Sequence, residues 1–507
     1  MTDGHWSRRR LLVGGGAVGL AGMAATGAAG YAWSDSQAAP DAPASPAVET
    51  GDVQVFASRS DLRPPRLTVG RSGSVPGLPE YILLGNKAYE GKPLGQGGLM
   101  IADLTGEIVW FSPGPVSEGQ FFDLNVQTYK GKPVLTWWHG QTSSSHGVGT
   151  CYIADSSYKQ IATVNAGNGL RADMHEFNLT DQGTALIDAY RTHTTDLRPV
   201  GGTANGVVES GVVQEIDIAT GDVVFEWDSL DHVPVTQTHE PFYGGTSDAP
   251  FSYFHINSVS VAPDGDLLVS SRHTWAIYKI GRHDGKIRWQ LGGKNSDFTL
   301  GPGVEFYWQH HVRAHGPDLL TVFDNGAGPA EEPQSRGLLL RLDTQRMHAT
   351  LVRAFTSPAR LLAGSQGSMQ LLPGGGAFVG WGSQPYFSAF GADGSMLLNG
   401  YLPAGDMSYR AFVADWTGHP RERPAIAVRG NPPGGTAVYA SWNGATEATT
   451  WRVLAGKLPS SLDPVAAMPR CGFETMIVAN SEGPYFAVTA HDSAGTTLGQ
   501  SETVRLT

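Results

Sequence analysis

The chain has 507 residues and a formal charge of -12, with no basic patch interleaved with aromatics, which argues against a nucleic-acid partner. Its 66 glycines and 32 prolines, with only 16% charged residues, suit a protein of many turns and short strands, and no long amphipathic helical pattern stands out. Two cysteines, Cys151 and Cys471, are too few for a structural zinc site, and a disulfide between them is left open by their positions.

At the N-terminus, Ser7-Arg8-Arg9-Arg10-Leu11-Leu12 precedes an uncharged, Gly- and Ala-rich stretch from Leu11 to Trp33. This layout predicts an export signal over residues 1–33, with twin arginines that resemble the Tat signal. The stretch is long enough to serve as an anchor instead, and no cysteine near it suggests a lipoprotein. Residues 34–51 are rich in Ala, Pro, Ser and Asp and are expected to be a disordered linker.

An internal repeat follows. One half is an apolar strand, a Gly or Asp-Gly turn, and a second apolar strand. Copies begin at Asn125, His175, Asn257, His310 and Met369, and a weaker one lies near Tyr81-Ile82-Leu83-Leu84. The other half is a strand, a polar turn and a strand carrying an aromatic, as in Met100-Ile101-Ala102-Asp103 to Trp110 and Tyr278-Lys279-Ile280 to Trp289. Anchored on Asp103, Asp155, Asp217 and Asp343, with Gly281 and Gly391 in the matching turns, six copies lie about 50 to 65 residues apart. Four short strands per repeat at this length are the pattern of a propeller blade, so the expectation is an all-β, six-bladed β-propeller over residues 52–419.

The rhythm changes after Pro420. Strand-like segments Ala437–Trp442, Thr450–Leu454, Phe473–Val478 and Tyr485–Ala490 predict a small β-sandwich over 420–507 that resembles a fibronectin type III domain.

Within the repeat, His175, Asn257 and His310 fall at the start of the first strand in three consecutive copies, and His255 lies two residues before Asn257. In a propeller these strands line the central channel, so the three imidazoles are expected to converge. Arg272 ends the paired strand of the Asn257 copy. Arg191 takes that place in the preceding copy, and Asp324-Asn325-Gly326 in the following one. The resulting pocket is expected to hold imidazoles, an amide and guanidinium with little carboxylate, a set suited to an anion with several oxygens. Three histidines could also bind a metal, but Arg272 would oppose a cation, and the expectation is no metal and no cofactor.

Phe254-His255-Ile256-Asn257-Ser258-Val259, Ser270-Ser271-Arg272-His273, Gly285-Lys286-Ile287-Arg288-Trp289-Gln290-Leu291-Gly292, Gln309-His310 and Thr321-Val322-Phe323-Asp324-Asn325-Gly326 carry a resemblance in this order. Together with Ser58-Arg59-Ser60-Asp61-Leu62-Arg63-Pro64-Pro65, they resemble the arylsulfotransferase family, in its broader actinobacterial and fungal-type branch, over about residues 52–415. The resemblance implies a six-bladed propeller and transfer of a sulfuryl group from an aryl sulfate to a phenolic acceptor without a nucleotide donor (PAPS). It implies that His310 attacks sulfur to form a sulfohistidine, and that His255, Asn257 and Arg272 hold the sulfuryl oxygens. Under the same resemblance Asn325 binds substrate, and His175 is either the proton donor to the departing phenolate or a wall of the pocket. His311 stands beside His310 as a competing nucleophile, and strand alternation would point the two apart. Well-studied family members carry their extra sandwich at the N-terminal side, unlike this chain. Export suggests a secreted or cell-envelope protein, and the competing reading is a non-catalytic exported binding or adhesion propeller.

Overall fold

The computed structural model describes residues 51–88, 91–114, 119–143, 146–431 and 435–506. The expected export signal and nearly all of the expected linker lie outside them. Regular structure among the described residues is β-strand and short 3-10 turns, with no α-helix.

Among the described residues, six sheets follow one another along residues 68–414, antiparallel except where the short strands Phe251–Ser252 and Thr299–Leu300 add parallel. The first strands of five are Gln120–Tyr129, Phe177–Leu179, Ile256–Val261, His310–His315 and Ser368–Leu371, each paired to the next strand in sequence. The sheet of Tyr81–Ala88, Gly98–Asp103 and Ile108–Pro113 is built differently. Its first strand, Asp406–Ala414, comes from the far end of the repeat and pairs with Tyr81–Ala88. The weak copy near Tyr81 is therefore a second strand, and its missing partner lies more than 300 residues downstream.

Turn chemistry explains the repeat. In the Asp103, Asp155, Asp217 and Asp343 turns the carboxylate accepts backbone N–H groups two to four residues ahead, for example Thr105 at 2.8 Å, Ser157 at 2.9 Å, Ala219 at 2.8 Å and Arg346 at 2.9 Å. A short acidic side chain closes such a turn on its own backbone. The Asp264-Gly265 turn needs its glycine: Gly265 sits at φ +89°, where a Cβ would be strained.

Apolar faces pack between successive sheets. Leu268, Ile277 and Leu291 meet Val312, Val322 and Leu340, and Phe378, Phe387 and Leu398 meet Ile82, Met100 and Phe111. Burying each such side chain contributes about 1.5–3 kcal/mol. The first strands also neighbour one another: Asp406–Ala414 lies beside both Ser368–Leu371 and Gln120–Tyr129, and His310–His315 beside Ile256–Val261.

Beyond residue 420 two further sheets form. One contains Ala425–Asn431, Gly435–Ser441 and Glu474–Ala479, and the other Thr450–Leu458, Ser461–Pro469, Tyr485–His491 and Thr497–Gln500. They share a core of Val438, Trp451, Val453, Ile477, Phe486 and Val488. Glu474 accepts the backbone N–H of Ala57 and Ser58, so the Ser58–Pro65 segment is held against this part of the chain. Cys151 is buried, Cys471 exposed, and both are free thiols.

Candidate functional site

His310 opens its strand, and His175 and His255 stand just before theirs. The structure brings the three together: one ring nitrogen of each lies within 4.8 Å of the others, and all three rings are buried. His175 is 4.9 Å from His255 and 6.5 Å from His310, centroid to centroid. Repeat equivalence, not sequence proximity, makes this cluster.

The local backbone differs from simple alternation. His255 has φ +47° and precedes the strand, whose register shifts between Ile256 and Ser258. His255 and Asn257 therefore do not alternate as i and i+2 of one regular strand, although both are buried at the same strand end. A second register shift follows His310, with His311 at φ +51°. It separates the neighbours: His311 Nδ1 accepts the Met369 N–H at 3.3 Å and its ring lies against Phe412, away from the cluster.

His310 is held by an amide. Its Nδ1 is 2.6 Å from Asn325 Oδ1 and 3.1 Å from the Trp308 carbonyl, and its Nε2 accepts the Gln366 N–H at 3.2 Å. Two acceptors at Nδ1 and a donor at Nε2 fix one tautomer, with the lone pair on Nε2. Burial, and then the charges of Arg272 and His175, hold His310 well below the usual imidazole range, so the ring is neutral. Asn325 was expected to bind substrate. Its side chain is instead committed to His310 and, through Nδ2, to the carbonyls of Ala363 and Gln366, each at 3.0 Å.

Arg272 is buried over the Trp308 ring at 4.7 Å and donates to the Gly364 carbonyl at 2.9 Å. Asn257 Nδ2 donates to the Gln309 carbonyl at 2.6 Å, while its Oδ1 has no hydrogen-bond partner among the described residues. Arg191 does not join the site; it pairs with Glu226 at 2.6 Å and Asp228 at 3.1 Å. Trp138 is core, its Nε1 donating to the Ala172 carbonyl. His139 stacks on Phe121, and Tyr386 packs on Tyr401.

The expectation of little carboxylate is wrong. Asp173 and Asp188 sit directly behind His175, and His175 Nδ1 bonds Asp173 Oδ2. Beneath them Arg410 is completely buried, bonded to Asp123 at 3.0 Å, Glu176 at 3.2 Å and the Asn257 carbonyl at 3.0 Å. Arg313 adds two bonds to Glu176 at 2.9 Å. This network ties together five of the six first strands or the residues that open them. Buried ions persist only when paired in this way. On the rim, burial raises Glu209 and Glu240 to about 7.

Reading the repeat missed Asp173, Asp188 and Arg410. Asp173 was two residues from His175 and would have been found by asking what fixes that ring. Arg410 had no signal, because its strand lay outside the repeat register. The three histidine nitrogens, like the carboxylate oxygens of Asp173 and Asp188 with a His175 nitrogen, are near enough for a metal ion to bridge. Burial first, and then neighbouring charges that include Arg272, depress both His255 and His310, and the same guanidinium opposes a cation there.

A model of the arylsulfotransferase (ASST) family matches residues 125–401, which contain every predicted site residue. No curated protein matches the chain. Similar solved structures include a protein of unknown function from Bacteroides caccae (11% identity, 66% of this chain and 98% of that one, TM-score 0.38). A protein from Lactobacillus plantarum is 12% identical, over 85% of this chain and 97% of that one, at TM-score 0.36. Virginiamycin B lyase from Staphylococcus aureus is 10% identical, over 75% and 96%, at TM-score 0.33.

Proposed function

Because the chain belongs to the arylsulfotransferase family, we propose that it moves a sulfuryl group from a phenolic sulfate ester to a phenolic acceptor, without a nucleotide donor, through a sulfohistidine at His310. The observation that carries this reading is the buried, amide-oriented His310: Asn325 holds its Nδ1, which leaves the lone pair on an Nε2 that accepts only the Gln366 N–H among the described residues, in a ring clustered with His175 and His255.

His310 Nε2 releases the Gln366 N–H and attacks sulfur as the bond from sulfur to the aryl oxygen breaks. The departing phenolate takes a proton from His175, which matters because a phenol's pKa is about 10. His255, Arg272 and the second N–H of Asn257 Nδ2 face the sulfuryl oxygens, where negative charge collects. In the second half-reaction an acceptor phenol gives its proton to His175 and attacks sulfur, releasing His310. The six sheets are read as the blades of a propeller closed by Asp406–Ala414, and the two C-terminal sheets as a fibronectin type III-like sandwich. The twin-arginine N-terminus makes the protein an exported one, secreted or held at the cell envelope.

Purified protein incubated with 4-nitrophenyl sulfate and phenol tests the reading. Nitrophenol release that depends on phenol and disappears in His310→Ala supports it. Release undiminished in His310→Ala removes His310 as nucleophile, and no release from any aryl sulfate favours a binding propeller.

A further inference from the structure

Of the three clustered histidines His175, His255 and His310, His175 is the one bonded to a carboxylate among the described residues. Asp173 Oδ2 bonds His175 Nδ1 and also accepts the His175 backbone N–H at 3.1 Å, while Asp173 Oδ1 accepts the Gly147 N–H at 2.5 Å. The carboxylate is 1% exposed, so these contacts fix its plane. With Nδ1 taken, Nε2 is the His175 nitrogen left to face His255 and His310. Resting on the sulfuryl-transfer reading, we propose that Asp173 is a positioning residue: it pins the His175 proton on Nδ1, so that Nε2 alone hands a proton to the leaving phenolate and takes one from the acceptor phenol.

The atoms balance over a cycle. In the first half-reaction the bond from His310 Nε2 to sulfur forms and the bond from sulfur to the aryl oxygen breaks. The proton on His175 Nε2 moves to that oxygen. In the second, the acceptor hydroxyl loses its proton to His175 Nε2 as its oxygen bonds sulfur and His310 is released. Asp173 stays ionised throughout and offsets the charge that His175 carries.

The buried charge around the ring agrees. Asp123, Asp173, Glu176 and Asp188 are enclosed with two guanidiniums, Arg313 and Arg410. Burial, and then the charges of Asp173 and Glu176, push Asp188 well above the usual carboxylate range, and its Oδ2 lies 3.9 Å from the same Nδ1. Burial works against charge on Asp173, but the His175 charge and hydrogen bond outweigh it and hold Asp173 below that range.

Leaving-group dependence separates positioning from mere structure. Asp173→Asn turns an N–H donor toward Nδ1 and forces the other tautomer. In full-length protein, its turnover should fall at least about tenfold more on phenyl sulfate than on 4-nitrophenyl sulfate, whose phenol leaves without help. His310→Ala should instead abolish both. Equal loss on both donors in Asp173→Asn, or no loss, overturns the proposal. A second readout is independent of activity and of the variant's folding. NMR of wild-type protein labelled with 15N-histidine should show a far-downfield proton on the His175 Nδ1, assigned by its absence in His175→Gln. A wild-type spectrum without that proton overturns the dyad. If wild type transfers from no donor while the downfield proton is present, the sulfuryl-transfer reading fails and the dyad stands without its role.

Discussion

Two sides of one pocket hold their histidines differently. His310 is gripped by an amide, Asn325, and lies near the cation Arg272. His175 is gripped by a carboxylate, Asp173, with Asp188 and Glu176 behind it. An amide fixes a tautomer without attracting a proton and leaves a neutral nucleophile. A carboxylate fixes a tautomer and balances an added charge, which suits a proton carrier. On the proposed function, identical side chains at equivalent positions of a repeat take separate work from one neighbour each.

The largest effect that would break this contrast is at His310. His310→Ala is expected to lower transfer from 4-nitrophenyl sulfate by more than about a thousandfold, read from initial rates. Next is the foundation of the carboxylate side. Arg410→Met leaves Asp123 and Glu176 without their shared partner and should cost about 3–5 kcal/mol in denaturant unfolding. A loss near zero would mean that the carboxylates there do not rely on Arg410.

A smaller change sharpens the contrast directly. Asn325→Asp places a carboxylate at His310 Nδ1 and favours its charged form. In wild type the acid limb of kcat/KM from His310 should lie well below pH 6.5. In Asn325→Asp that limb should move to higher pH, with activity recovering as pH rises above it. The smallest effect is at the rim. Burial, then the charge of Asp173, raises Glu209 to about 7 from an ordinary value near 4.5. Between those values the folded protein holds a proton that the unfolded chain releases, so this group's contribution falls as pH rises through that window. Relative to wild type, Glu209→Gln should gain stability from about pH 4.5 to 7 and stay level above it, as read from denaturation midpoints.

Much of this was legible in the chain. Turn aspartates that cap their own backbone recur at Asp103, Asp155, Asp217 and Asp343, and strand starts at equivalent positions gave the histidine cluster. Two things were not. The strand Asp406–Ala414 pairs with Tyr81–Ala88 across the length of the repeat, and no local pattern reports such a pairing, so Arg410 stayed hidden. The roles of Asn325 and Asp173 depend on which ring nitrogen each meets, and positive φ values at His255 and His311 with two register shifts defeat alternation as a guide to that.

The central claim is that the amide-held imidazole carries the sulfuryl group. Rapid alkaline quenching of the enzyme with excess 4-nitrophenyl sulfate and no acceptor, followed by peptide mass spectrometry, tests it most directly. The account predicts one sulfuryl adduct, on His310, that disappears when phenol is added before the quench. An adduct on His311 or His175, or turnover with no protein-bound sulfuryl group at all, would contradict it.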